Sequence, residues 1–223
     1  MVKIMDFQRA RKPEQVEARR AAILGVAREM LRDRPLADIS LNELSATVGL
    51  AKSNVLRYFG SREVIFLEVL DETWRDWLDR LTLDPGAEGP GYVREERIAS
   101  QIADAMVADP RLCELVAAMA SVLERNMPLD YAREFKRRAS ANTDRFATMV
   151  GAVLPHLSRA ASSHFAGAVF VITAGLWPYA TPSDTVAQVS REMGIPPAAE
   201  MFAAGLREGL TNLIIGLSVR AQT

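Results

Sequence analysis

The chain has 223 residues, 49% of them hydrophobic and 25% charged, with a formal net charge of −1. That suits one large domain, or a small one joined to a larger one, with a substantial core, and the single cysteine, Cys113, excludes an intrachain disulfide framework. The small net charge hides an asymmetry, because residues 1–62 hold 12 Lys/Arg against 7 Asp/Glu, a balance of +5, while the remainder holds 15 against 21, a balance of −6.

The first residues carry Lys3, Arg9, Arg11, Lys12, Arg19 and Arg20 against Asp6, Glu14 and Glu17. They suit a basic arm on a minor groove or on phosphates, and residues 1–12 equally suit a solvated tail. No apolar core segment or small-residue cleavage site marks a signal peptide, and Cys113 in LCELVAAMA reads as a buried thiol; both point to the cytoplasm. Pro13 stands before a first helix whose Ile23, Ala27, Met30 and Leu31 share one face, and Pro35 ends it. Leu36 and Ile39 should close a small core between this helix and the segment that begins at Ser40.

Ser40 to Arg62, SLNELSATVGLAKSNVLRYFGSR, is the most informative segment. Ser40 with Glu43 three residues later is the pairing of a capping box, so a helix should begin there. Leu41, Leu44 and Val48 form its apolar face, and Gly49 supplies the freedom for a sharp turn. A second helix is predicted over about 51–58, with Val55 and Phe59 on one side and Lys52, Ser53, Asn54, Arg57 and Tyr58 elsewhere. Two short helices around a Gly turn are the helix-turn-helix arrangement, whose second helix enters the major groove of DNA. A plain helical hairpin with a Gly turn has the same spacing.

The residues GLAKSNVLRYFGSRE resemble the signature of the TetR family of transcriptional regulators, closely over about the first seventy positions and only architecturally beyond. Two positions depart from it. Leu56 stands where Tyr is usual, which removes a phosphate-contacting hydroxyl, and Ala51 stands where Ser usually caps the second helix. The resemblance implies a homodimer on a double-stranded DNA operator, with Ser40, Lys52, Tyr58 and Arg62 on phosphates and Ser53, Asn54 and Arg57 on base edges. Repression, released by a small-molecule effector, is the family habit.

Gly60-Ser61 opens a long fourth helix to about Leu81, capped by Ser61, with Val64, Leu67, Leu70, Trp74, Trp77, Leu78 and Leu81 at helical spacing. It joins a domain of residues 1–62 to one of residues 63–223. LDPGAEGPG, from Leu83 to Gly91, is the clearest loop. Further helices are predicted at about 92–108, 111–125, 129–154, 159–177 and 198–219, with Pro110, Pro128, Pro155, Pro178 and Pro196-Pro197 in the breaks. The expected fold is therefore all-α, of about nine helices. Phe165 to Leu176, FAGAVFVITAGL, falls short of a membrane span, so no membrane is expected.

The last two predicted helices carry small residues: Ala166, Gly167, Ala174 and Gly175 in one, and Gly205, Gly209 and Gly216 in the other. The resemblance places the dimer interface there, although packing within one chain explains small residues as well. Met106, Met119, Phe146, Met149, Phe170 and Trp177 are bulky and adaptable enough to line a pocket for a hydrophobic or amphipathic effector, and each also suits ordinary core packing. Asn142, Thr143, His164 and Thr173 are polar groups suited equally to orienting such a ligand and to being satisfied elsewhere. No cofactor or metal is expected. An enzyme finds no support, because no nucleophile elbow, metal-binding His pair or phosphate loop is present and only His156 and His164 are available as imidazole bases. A helical adaptor would leave unexplained why the positive charge coincides with the Lys-Ser-Asn-Arg-Tyr set.

Overall fold

The computed structural model describes residues 13–125 and 127–221, and every regular element among them is helical. Ten α-helices follow one another: α1 (Pro13–Asp33), α2 (Leu41–Val48), α3 (Lys52–Phe59), α4 (Arg62–Arg80), α5 (Val93–Val107), α6 (Pro110–Ser121), α7 (Leu129–Val153), α8 (Arg159–Ala180), α9 (Asp184–Glu192) and α10 (Ala198–Ala221). Single 3-10 turns occupy Leu36–Asp38 and Leu123–Arg125. The basic residues Lys3, Arg9, Arg11 and Lys12, which suit an arm or a tail, lie outside the described residues.

The N-terminal unit is built as its periodicity requires. Ile23, Leu24, Ala27, Met30 and Leu31 line the buried face of α1, and Leu36, Ile39, Leu44, Val55 and Phe59 complete the core beneath it. Ser40 caps α2 by accepting the Glu43 amide at 3.2 Å. Only half of the capping box forms, because the Glu43 carboxylate turns instead to Arg34 at 2.6 Å. Gly49 ends α2 at φ 76°, ψ 29°, a left-handed conformation that a residue with a Cβ adopts only at a cost.

The long helix α4 fastens this unit to the rest. Its buried side chains run from Val64 through Leu78, and it packs on α1 and α3 as well as on α6 and α7. Trp74 lies 4.3 Å from Phe170, and Trp77 meets Phe146 edge-on at 5.2 Å while its indole donates to the Ala105 carbonyl. Around this aromatic centre α5 through α8 and α10 form a bundle, with α7 on α8 and α10 on both α5 and α8.

Three features differ from the sequence expectations. The tenth helix is α9, capped by Ser183, in a stretch where the sequence predicts none; it is only nine residues long, and its apolar side chains Val186 and Val189 are exposed rather than buried in the bundle. Pro178 lies inside α8 instead of ending it, two residues before the helix stops, where it has no amide to offer the Ala174 carbonyl. As a result α8 runs for 22 residues and is, by length and composition, apolar enough to cross a membrane. It packs against α6, α7 and α10 through one face, burying Phe165, Ala166, Val169, Phe170 and Thr173, while Val171 and Tyr179 stay exposed.

Candidate nucleic-acid interface

The recognition candidate α3 is two-faced. Val55, fully buried, and Phe59, 5% exposed, anchor it inward, each worth about 1.5–3 kcal/mol of burial. Lys52, Ser53, Asn54 and Arg57 all stand at the surface, so the anchored helix presents them together. Leu56 is half-buried. Ala51 gives α3 no side-chain cap, and the Ala51 carbonyl takes the Asn54 amide at 2.8 Å.

Tyr58 is half-buried and tied to α1. Its hydroxyl accepts from Arg19 Nη1 at 3.2 Å, and its carbonyl accepts from Arg20 Nη1 at 2.6 Å. The Arg20 guanidinium also lies 4.3 Å over the Phe59 ring. The N-terminal basic run is visible in sequence, but only the fold brings Arg19 to the recognition helix. Ser40 remains exposed at its capping position.

Arg62 departs from its expected phosphate role. Its Nε donates to the Ile39 carbonyl at 2.6 Å and its Nη2 to the Leu36 carbonyl at 2.5 Å, and its guanidinium lies 5.2 Å from the Phe66 ring centre. A planar guanidinium so engaged holds the α1–α2 connection onto the start of α4 and leaves the side chain 18% exposed.

The six expected effector contacts do not surround one opening. Met106 and Phe146 are fully buried and Phe170 is nearly so, within the closed cluster around Trp74 and Trp77; Met119 and Met149 are half-buried against the core. Trp177 stands apart, edge-on to Phe202 at 5.2 Å. A roomy opening, about 970 Å³, lies instead between the end of α8, α9 and the start of α10, lined by Leu176, Tyr179, Val186, Ile195, Met201 and Phe202 among others. Asn142 donates to Asp71, Thr143 to the Ala139 carbonyl and Thr173 to the Val169 carbonyl, so three of the four polar candidates are satisfied within the bundle. His164 is exposed.

The small residues divide. Gly205 and Gly209 lie beneath Leu176 and Ile172, where an added Cβ would come within 3.9 and 3.6 Å, and Ala166 is fully buried in its own bundle. Ala174 is half-buried against the core. Gly167 and Gly175 face open space beside exposed Val171 and Tyr179 on α8, and Gly216 faces open space on α10.

Comparison with known proteins agrees with this geometry. The family model described as Tetracyclin repressor-like, C-terminal domain matches residues 71–221, and that described as Bacterial regulatory proteins, tetR family matches residues 23–69. The HTH-type transcriptional regulator EthR of Mycobacterium tuberculosis (strain ATCC 25618 / H37Rv) is 43% identical over 53 residues. That match spans 24% of each chain, about a quarter of the relative's length. A TetR-family transcriptional regulator from Pectobacterium atrosepticum shares the fold at a TM-score of 0.62 and 16% identity, over 93% of this chain and 97% of that one. A TetR transcription regulator from Haloarcula marismortui does so at 0.53 and 15%, over 90% and 98%. With both domain models matched in order along the chain, this protein belongs to the TetR family of DNA-binding transcriptional regulators.

Proposed function

We propose that the protein is a homodimeric repressor that holds a palindromic operator through two copies of α3 and is released by a small hydrophobic or amphipathic molecule. The observation that carries the DNA part is the division of α3: Val55 and Phe59 anchor it, while Lys52, Ser53, Asn54 and Arg57 are left together at the surface. Asn pairs bidentately with adenine and Arg with guanine, whereas Lys supplies a point charge to phosphate. Tyr58, whose hydroxyl accepts from Arg19, keeps its own proton to donate to a phosphate oxygen.

Dimerisation through α8 and α10 is supported by the outward Gly167 and Gly175 next to exposed Val171 and Tyr179 on α8, and by the outward Gly216 on α10, which permit close approach of a second copy. One short recognition helix reads only a few base pairs, and a two-fold molecule doubles that over a palindrome. The effector part is supported by the large apolar opening lined by Phe202, against which Trp177 stands edge-on. A bound molecule that prefers one spacing of the two reading heads shifts operator affinity by that preference.

The test is selection of bound duplexes from a random pool by the purified protein. The expected product is a palindrome with half-sites about 34–36 Å apart, bound by a dimer. A monomer with no preference for any duplex over competitor DNA would overturn the proposal.

A further inference from the structure

The 3-10 turn Leu36–Asp38 links α1 to α2, and its first amide has no partner within the turn. The residue before it, Pro35, offers no side-chain cap. The Leu36 N–H is satisfied from the other domain, where Glu114 Oε1 on α6 accepts it at 3.1 Å. The second oxygen of the same carboxylate, Oε2, accepts the Trp177 indole N–H on α8 at 2.8 Å. One half-buried carboxylate therefore bridges a backbone amide of the reading head and a side chain 141 positions further along the chain.

Each end of this bridge is itself fixed. The Leu36 side chain is 2% exposed, and its carbonyl accepts Arg62, which in turn holds Ile39 just before α2. At the other end the Trp177 ring stands edge-on to Phe202 at 5.2 Å, and Phe202 lines the large apolar opening between α8, α9 and α10. A change in the seating of Phe202 thus has a short physical route to the turn that carries the helix-turn-helix. Hydrogen bonds to a charged acceptor are the stronger kind, worth roughly twice a neutral one, so the shared carboxylate is able to hold this geometry.

We propose that Glu114 is a positioning residue for DNA binding: its carboxylate, shared between the Leu36 amide and the Trp177 indole, sets how the reading head is seated on the larger domain. The proposal rests on the DNA-binding reading and adds to it the side chains through which the α8–α10 end acts on the head. Leu36 and Trp177 communicate through Glu114, so altering Trp177 alters the head only while Glu114 is in place.

The experiment is a double-mutant cycle with two readouts. Trp177→Phe keeps an aromatic ring against Phe202 and deletes only the indole donor; Glu114→Ala removes both acceptors. Glu114→Gln, with one acceptor oxygen in place of two, replaces it if the alanine variant does not fold. The first readout is hydrogen exchange at the Leu36 amide, which needs no DNA. Exchange should accelerate about tenfold in the Glu114 variant, measurably in Trp177→Phe, and no further when Trp177→Phe is added to the Glu114 variant. The second is affinity for the duplex selected from the random pool, which should change about fivefold or more, with the same non-additivity.

Leu36 exchange unmoved by Trp177→Phe, or additive effects in the double variant, overturns the bridge. Altered exchange with unaltered duplex affinity overturns the positioning role. If wild-type protein selects no duplex, it is the DNA-binding proposal that has failed, and the exchange cycle still decides whether Leu36 and Trp177 are joined through Glu114.

Discussion

Arg138 on α7 grips both carboxylate oxygens of Glu68 on α4, at 3.0 and 3.1 Å. The same guanidinium reaches Asp71 Oδ2 at 3.1 Å, while Asn142 donates to Asp71 Oδ1 at 3.2 Å. The Glu68 and Asp71 side chains are only 13% and 2% exposed, and Arg138 is the cation these two carboxylates share, although Asp71 Oδ2 also takes Arg75 Nη2 at 3.1 Å. Arg138→Ala leaves them facing each other without it. The expected loss is about 3 kcal/mol, set chiefly by the loss of both bonds to Glu68, since Asp71 retains Arg75. Urea denaturation measures it, and a loss of only a few tenths of a kcal/mol would show that the cluster relaxes into solvent.

The same pair predicts an acid response. Burial alone would raise the Glu68 pKa, but the hydrogen bond and charge of Arg138, with the Tyr131 hydroxyl and the charge of Arg20, outweigh it and hold the carboxyl below its ordinary 4.5. A carboxyl depressed on folding contributes stability that is present above 4.5 and is lost as pH falls through its folded value, because the unfolded chain then takes up the proton first. Glu72, one turn on, behaves oppositely: burial raises it, against the opposing charges of Arg28 and Arg75, so the comparison must isolate Glu68. Glu68→Gln should be less stable than wild type at pH 7, and the two stability curves should converge as pH drops below 4.5. Parallel curves down to pH 3 would refute the assignment.

Much of this fold is legible in local chemistry. Ser40 and Ser61 each accept an amide three residues on, a relationship contained within one turn, and the apolar spacing of α4 places Val64 through Leu78 inward. The illegible part depends on residues far apart in the chain. Nothing near Arg62 shows that carbonyls 23 and 26 positions earlier will claim its guanidinium, and nothing near Glu114 points to Leu36 or Trp177. A bulky apolar residue reads alike whether it lines a cavity or fills one, which is why Met106, Phe146 and Phe170 group with Trp177 in sequence although the first three are in the packed core. Similarly, a small residue reads alike whether it faces its own chain, as Gly209 does, or open space, as Gly216 does.

The turn between α2 and α3 yields a pair of opposite substitutions. Gly49 sits at φ 76° with nothing within 4 Å of an added Cβ, so Gly49→Ala meets no clash and its cost is the backbone conformation itself, about 1 kcal/mol. Ala51→Ser should act the other way, because α3 lacks a side-chain cap and a serine there supplies one, worth about 0.5–2 kcal/mol. Thermal melting of the two variants should move to opposite sides of wild type. A destabilised Ala51→Ser would mean that the serine hydroxyl does not reach the open amides of α3.

On DNA, Lys52 and Asn54 should fail in different ways although both are exposed on α3. A lysine on a phosphate acts by releasing counterions, so Lys52→Ala should weaken selected and random duplexes alike and flatten the dependence of log K on log salt by about one unit per monomer. An asparagine on a base edge contributes only where its partner base is present. Asn54→Ala should therefore cost about 1–3 kcal/mol on the selected duplex and little on random sequence. Titrations of both duplexes at several salt concentrations separate the roles, since one variant changes the slope and the other the gap between the two duplexes. Equal losses on both duplexes for Asn54→Ala would assign that residue to the backbone, and an unchanged slope for Lys52→Ala would remove the lysine from it.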